Sequence, residues 1–190
     1  MTVRQKNAGF SMIEVLVTIL ILMIGLLGLA GLQGRAMTSQ MESYQRSQAL
    51  ILLKDMGDRI NANRANVADY VAAATRGTGF NGSAVLNCAA LTGSALDLCE
   101  WHNALLGAAE TLGGAKVGAM IGARGCIYQT VAPAAWVPGE YLIAIAWQGF
   151  NSTAALTIGP AAACGTAADY GGSLAKRRIV TLPITIAILS

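Results

Sequence analysis

Charge is scarce in this sequence. Only 12% of its 190 residues are Asp, Glu, Lys or Arg, about half the share usual in soluble domains. The formal net charge is +3 and no basic run is interleaved with aromatics, so the electrostatic footprint of a nucleic-acid binder is missing. Histidine occurs once, as His102, and no two cysteines stand at CxxC spacing, which argues against zinc. His102 follows Ser94 and Asp97 closely, but one stretch of helix does not bring a nucleophile and a base together. No carboxylate pair is flanked by residues suited to general acid/base work. The expectation is therefore no enzyme, no catalytic residue, no metal and no cofactor, with His102 as a surface or half-buried polar residue.

What the sequence does have is apolar length. Apolar residues make up 54% of the chain, against about 45–50% on average, and the excess gathers near the N-terminus. Phe10 to Leu32 reads FSMIEVLVTILILMIGLLGLAGL, with Glu14 as its single charge. A helix of this length is roughly 35 Å long, enough to cross a hydrocarbon core of about 30 Å. Arg4 and Lys6 precede the run, so the positive-inside rule keeps the N-terminus cytoplasmic and sends the rest outward. Cys88, Cys99, Cys126 and Cys164 all lie beyond the run. An even set of cysteines on that side reads as two disulfides in an oxidising compartment, the periplasm or the cell surface. Four cysteines allow three connectivities. Nearest pairs, Cys88–Cys99 and Cys126–Cys164, close separate subregions and are the expected ones. An ordinary secretory signal would be cut near Ala30-Gly31. Against that stand the basic segment abutting Gly9-Phe10 and the carboxylate of Glu14, which costs about 2.5–3.5 kcal/mol at the centre of a membrane helix and so calls for a partner.

From Gln33 to about Ala68 the helical pattern continues. Met37, Met41, Tyr44, Ile51 or Leu52, Met56 and Ile60 recur at steps of three and four and predict one apolar stripe for core packing. Gly77, Gly79 and Gly82 have GxGxxG spacing, but no strand precedes them and no helix follows, so they read as turn punctuation. Ser94 with Asp97 resembles a capping box opening a helix through about Leu112, ended by Gly113-Gly114. Strands are expected at Lys116–Ile121, Cys126–Val131, Tyr141–Trp147 and Arg178–Ile188, with one face of Tyr141–Trp147 heavily buried. Pro183 places the last strand at an edge or bulge. A long helix followed by a four-stranded antiparallel sheet is α+β in class. Gly25, Gly28, Gly31 and Gly34 recur every third residue and spiral around the helix rather than forming one packing face. They predict a segment soft enough to unwind, since each costs about 1 kcal/mol relative to alanine.

AGFSMIEVLVTILIL resembles the N-terminal signature of type IV prepilins and of type II secretion pseudopilins. The resemblance implies cleavage after Gly9 by a prepilin peptidase on the cytoplasmic face. It also implies N-methylation of Phe10 and a role for Glu14 in neutralising the terminal amine of a neighbouring subunit during assembly. Removing Arg4 and Lys6 with the leader would bring the net charge from +3 to near neutrality. Further on, Cys99-Glu-Trp101, LGGAKVG, EYLIAIAWQG, Cys164-Gly165 and Lys-Arg-Arg-Ile-Val are similar to minor pilins of the PilV type. The implied fold is pilin-like: a cleaved leader (1–9), a membrane half of the helix (10–32), an amphipathic half (33–68) and a disulfide-containing head (69–190). The implied function is a minor pilin taking part in pilus assembly, with other major and minor pilins and the inner membrane as partners. The alternatives are a type II secretion pseudopilin, or a membrane-tethered adhesin presenting Trp136 and Trp147.

Overall fold

A computed structural model of the chain describes residues 9–108, 111–112, 115–116 and 120–187. Gly113-Gly114 lies outside them. The contacts divide the chain into two units, Met1–Met41 and Glu42–Ser190, and helix α1 (Met12–Ala62) contributes to both. In the first unit α1 is exposed along its whole apolar run, and it is long and apolar enough to cross a membrane.

The second unit is built on a four-stranded antiparallel sheet ordered β1 (Arg76–Gly77), β4 (Arg124–Val131), β5 (Gly139–Gln148) and β6 (Arg177–Ile186). A two-residue pair, β2 (Thr111–Leu112) and β3 (Ala115–Lys116), stands apart from it. The fold is α+β, as expected. The sheet's membership differs, however. Of the expected strand at Lys116–Ile121, residues 117–119 lie outside the described residues, Lys116 pairs in β3 and Ile121 lies in a turn, and β1 takes the fourth place in the sheet. Two residues are too short to show periodicity, so β1 carries no strand signal in the sequence.

One sheet face receives α1. Ala49, Leu53, Met56 and Ile60 pack in one core cluster with Tyr141, Ile143, Ile145 and Trp147 of β5. A Cβ on Gly57 would stand 2.8 Å from a methyl of Leu182, so glycine lets the helix lie close on β6. The buried face of α1 is therefore Gln45, Ala49, Leu53, Met56, Gly57 and Ile60. Met37, Met41, Tyr44 and Ile51 of the expected stripe are exposed. Steps of three and four fit two neighbouring faces equally well, and the sheet covers the one led by Ala49. The helix also ends earlier than Ala68. It stops at Ala62, and a 3-10 turn (Arg64–Asn66) leads into the short α2 (Val67–Val71). Asn66 donates to the Asn63 side chain at 2.7 Å, and the Asn63 amide donates to Tyr70 Oη at 3.0 Å. These local bonds compete with the helical ladder at that point.

Helix α3 (Gly93–Leu105) lies beside β1 and β4, and Trp101 Nε1 donates to the Leu52 carbonyl at 3.0 Å. It starts after Thr92 without a side-chain cap. Ser94 donates instead to Asp69 at 3.1 Å, while Asp97 accepts from Arg59 and from Tyr70, so the expected capping box is not formed. The helix ends at Leu105 rather than Leu112, where Gly107 takes the left-handed conformation with φ of 66°. The opposite sheet face is lined by Cys126, Ala144 and Ala146, small enough to admit Ala161, Cys164 and Tyr170.

Candidate functional site

The residues singled out at the N-terminus sit together at the start of α1. Gly9, Phe10 and Ser11 precede the helix, and Phe10 is 83% exposed. Ser11 caps it: its Oγ accepts from the Glu14 amide at 3.3 Å and its carbonyl accepts from the same amide at 3.1 Å. Ser11-Met-Ile-Glu14 has the S-x-x-E spacing of a capping box, a signal the sequence carried and that the search for apolar periodicity passes over. Glu14 is thus the acidic residue of the first helical turn. There the helix dipole favours a carboxylate by about 0.3–1 kcal/mol, well below the cost of burying it deeper in lipid. The glycines at 25, 28, 31 and 34 have no neighbouring atom within 4 Å of where a Cβ would stand.

In the second unit, Cys88 is bonded to Cys99 and Cys126 to Cys164, with Cα–Cα separations of 5.8 and 5.9 Å. The first links the segment before α3 to that helix; the second ties β4 to the segment that covers the outer sheet face. The same segment is held by Arg177. Its buried guanidinium donates to four carbonyls, those of Leu156, Ala162, Cys164 and Gly165, at 2.6–3.3 Å. Glu42 accepts from the amides of Phe150 and Asn151 and from Arg178 Nη2 at 3.2–3.3 Å. Nothing in the periodicity of Arg177 or Glu42 announces these roles.

Arg59 gathers the acidic residues. It bonds Asp55 at 3.0 Å, Asp97 at 3.1 Å and Glu100 at 2.6 Å. Burial acts against the cation, yet Glu100, Asp55 and Asp97 together raise its pKa. Tyr70 is pushed up to about 12, by burial first and by its bond to Asp97 next. A phenol that remains protonated here works as a donor, so the cluster is a structural clasp between α1, α2 and α3. His102 is fully buried, contrary to the expected surface or half-buried position. Its Nδ1 accepts from the Gly77 amide at 3.0 Å and its Nε2 pairs with the Ala84 carbonyl at 2.8 Å. Among the described residues no group of acidic, histidine and cysteine side chains is arranged to hold a metal. Of the two tryptophans weighed for a sticky surface, Trp147 is core while Trp136 is 95% exposed.

Two family models match adjoining stretches of the chain: the prokaryotic N-terminal methylation motif over residues 4–30, and a type IV pilin family, Tt1218-like, over residues 31–101. No curated protein and no solved structure matches it. The methylation motif coincides with Gly9, Phe10, the Ser11 cap and Glu14, and the pilin match takes in the rest of α1 together with α3 up to Trp101. The motif implies processing by a prepilin peptidase and assembly into pili, and the apolar helix fits a membrane-anchored pilin. With these matches laid over a long N-terminal helix and an antiparallel sheet, the chain is a type IV prepilin-like protein.

Proposed function

We infer that the chain is a minor type IV pilin, cut after Gly9, methylated at Phe10 and drawn into a filament by Glu14. The observation that carries this is a lone carboxylate, Glu14, in an otherwise uncharged exposed run, one helical turn from the residue that would become the new N-terminus. Cleavage turns Phe10 into the bearer of a cationic α-amine, and methylation leaves that charge in place. In the bilayer the carboxylate needs an opposite charge, because an ionised group in a low-dielectric medium is costly unless paired. The helix dipole offsets only about 0.3–1 kcal/mol of that cost. Pairing with the amine of a neighbouring subunit makes burial of the charge and addition to the filament one event. On this reading 1–9 is the leader, 10–32 the membrane half of the helix, 33–68 the amphipathic half and 69–190 the head. The head is periplasmic before assembly and on the cell surface after it. Minor rather than major status is supported by the likeness of Cys99-Glu-Trp101 and EYLIAIAWQG (140–149) to PilV-type minor pilins.

The test is Glu14→Gln, which keeps size and polarity but removes the charge. The variant is expected to insert and to be cut after Gly9, yet to be scarce in sheared filaments. Normal incorporation at matched expression would refute the role. Quantitative mass spectrometry of the same filaments tests minor status, with this chain expected far below the principal subunit.

A further inference from the structure

The four-stranded sheet has a gap along one edge. Strand β1 covers β4 only at Arg124 and Gly125. The chain before β1 bends away at residues 72–73. Residues 126–129 of β4 line a slot of about 320 Å³ there instead, walled by Val71 and Ala73 on one side and Pro160 on the other. Neighbouring residues of a strand point to opposite faces. Ile127 joins the core beneath α1, while Cys126 and Tyr128 join the cluster on the outer face. A cavity that touches all of them therefore lies along the edge of the strand rather than on either face. The ladder fixes what that edge offers. On the β1 side the Thr78 amide donates to the Ala123 carbonyl at 2.8 Å. In an antiparallel pair every second residue bonds to the same side, so Gly125, Ile127 and Gln129 turn their N–H and C=O groups the same way. Gly125 is met by Arg76. Among the described residues no hydrogen bond from another element reaches the outward groups of Ile127 and Gln129. The slip of register between Gln129 and Val131 closes the lane at its far end. The open stretch is thus about 13 Å long at the usual strand rise.

We propose that this slot takes an extended segment of another protein chain, added to β4 as a short strand in line with β1. Two donors and two acceptors spaced along one strand edge are complementary to another extended backbone, which supplies the same groups in return. Sugars and lipids carry no such array. The walls set the side chains. Val71 and Ala73 on one side, and Pro160 with Tyr128 on the other, are apolar or aromatic. A strand enclosed on both faces is apolar on both, so the entering residues are small and apolar. Proline is excluded, because its missing N–H would leave a rung unmade. A second copy of this chain does not supply the segment through its own β4, since that edge lies at the floor of the same slot. The site is independent of the filament reading and needs neither leader cleavage nor Glu14.

The test uses the full chain in lipid nanodiscs and a fluorescein-labelled octapeptide, Lys-Gly-Val-Ala-Val-Ala-Gly-Lys, followed by anisotropy. Saturable binding is expected. N-methylation of the four central amides should weaken it about tenfold, since hydrogen bonds to β4 are lost while the side chains stay. Gln129→Pro should weaken it about fivefold, because it removes one outward N–H and leaves the ladder to β5 unbroken. Ala73→Phe, which narrows the slot from its wall and leaves the edge intact, should weaken it about tenfold, so the reading does not depend on the proline variant folding. Amide exchange followed by NMR gives the sharpest check. Bound peptide should slow exchange at Ile127 and Gln129 about tenfold and leave Tyr128, already bonded to β5, unchanged. Absence of saturable binding, equal binding of the N-methylated peptide, or no slowing at either amide overturns the proposal. Slowing at both amides that rises with the concentration of the chain alone also overturns it and gives the edge to a second copy.

Discussion

A hydrogen atom is all the space that Trp101 leaves at Gly125. A Cβ there would stand 2.3 Å from the indole ring and 2.7 Å from Leu105, and the ring is pinned by its bond to Leu52. Gly125→Ala should therefore lower stability by about 1–3 kcal/mol, the usual cost of overpacking, read as a fall in the thermal midpoint of the purified chain. His102 shows why such details are not legible in one sequence. Its partners, Gly77 and Ala84, lie 25 and 18 residues away, so judging it by helix neighbours Ser94 and Asp97 gave the wrong environment. Asp169 offers a pH test. Burial alone would raise its pKa, but bonds from the Thr166 amide and hydroxyl and from Arg124 hold it below the ordinary carboxylate value. The folded state thus binds its proton less readily than the unfolded chain, whose Asp titrates near about 3.9. The resulting stabilisation is complete above that value and is lost as pH falls through the lower folded pKa. Denaturant titrations from pH 6 to pH 2 should show a steeper acid loss for the parent than for Asp169→Asn; parallel curves would remove Asp169 from the account.

Elements were legible in proportion to their length. Helix α1, 51 residues long, was plain from its apolar and amphipathic pattern, and β5 from the alternation of Tyr141, Ile143, Ile145 and Trp147, which all prove buried. Pro183 marked β6 for an edge or a bulge, and β6 is an edge strand of the sheet. The pattern failed where packing chooses between near-equal options: the α1 stripe holds at Met56 and Ile60 but not at Met37, Met41, Tyr44 or Ile51, and the helix yields earlier than expected, to the turn at Arg64–Asn66. The glycines at 25, 28, 31 and 34 are helical and open to substitution on steric grounds. Alanine at all four should raise helix stability by up to about 1 kcal/mol per site. If the segment must unwind during assembly, that variant should enter filaments poorly while remaining membrane-inserted; unchanged incorporation would end the soft-segment idea. The two disulfides differ in reach, spanning 11 and 38 residues, worth about 3 and about 4 kcal/mol on chain entropy. Replacing Cys126 and Cys164 by alanine should cost more in a melt than replacing Cys88 and Cys99.

At the scale of the whole molecule, the order of segments supports the proposed orientation: cations first, an apolar run with Glu14 as its single charge next, cystines last. Mass spectrometry of the mature chain should find Phe10, with a methyl group on its amine, at the N-terminus; a terminus near Gly31 would mean ordinary signal cleavage. The sheet also bears on how such molecules meet. Its last strand, β6, is paired with β5 without a break from Ile186 to Arg177, with Pro183 opposite Leu142. Its outer side is the exposed margin of the sheet. Proline has no amide hydrogen, so in an unbroken ladder its nitrogen belongs on that outer side. A strand from another head approaching this margin would find a rung missing at its middle, which blunts edge-to-edge pairing. Wherever copies of this chain crowd together, Pro183 thus disfavours the joining of their sheets into a continuous one.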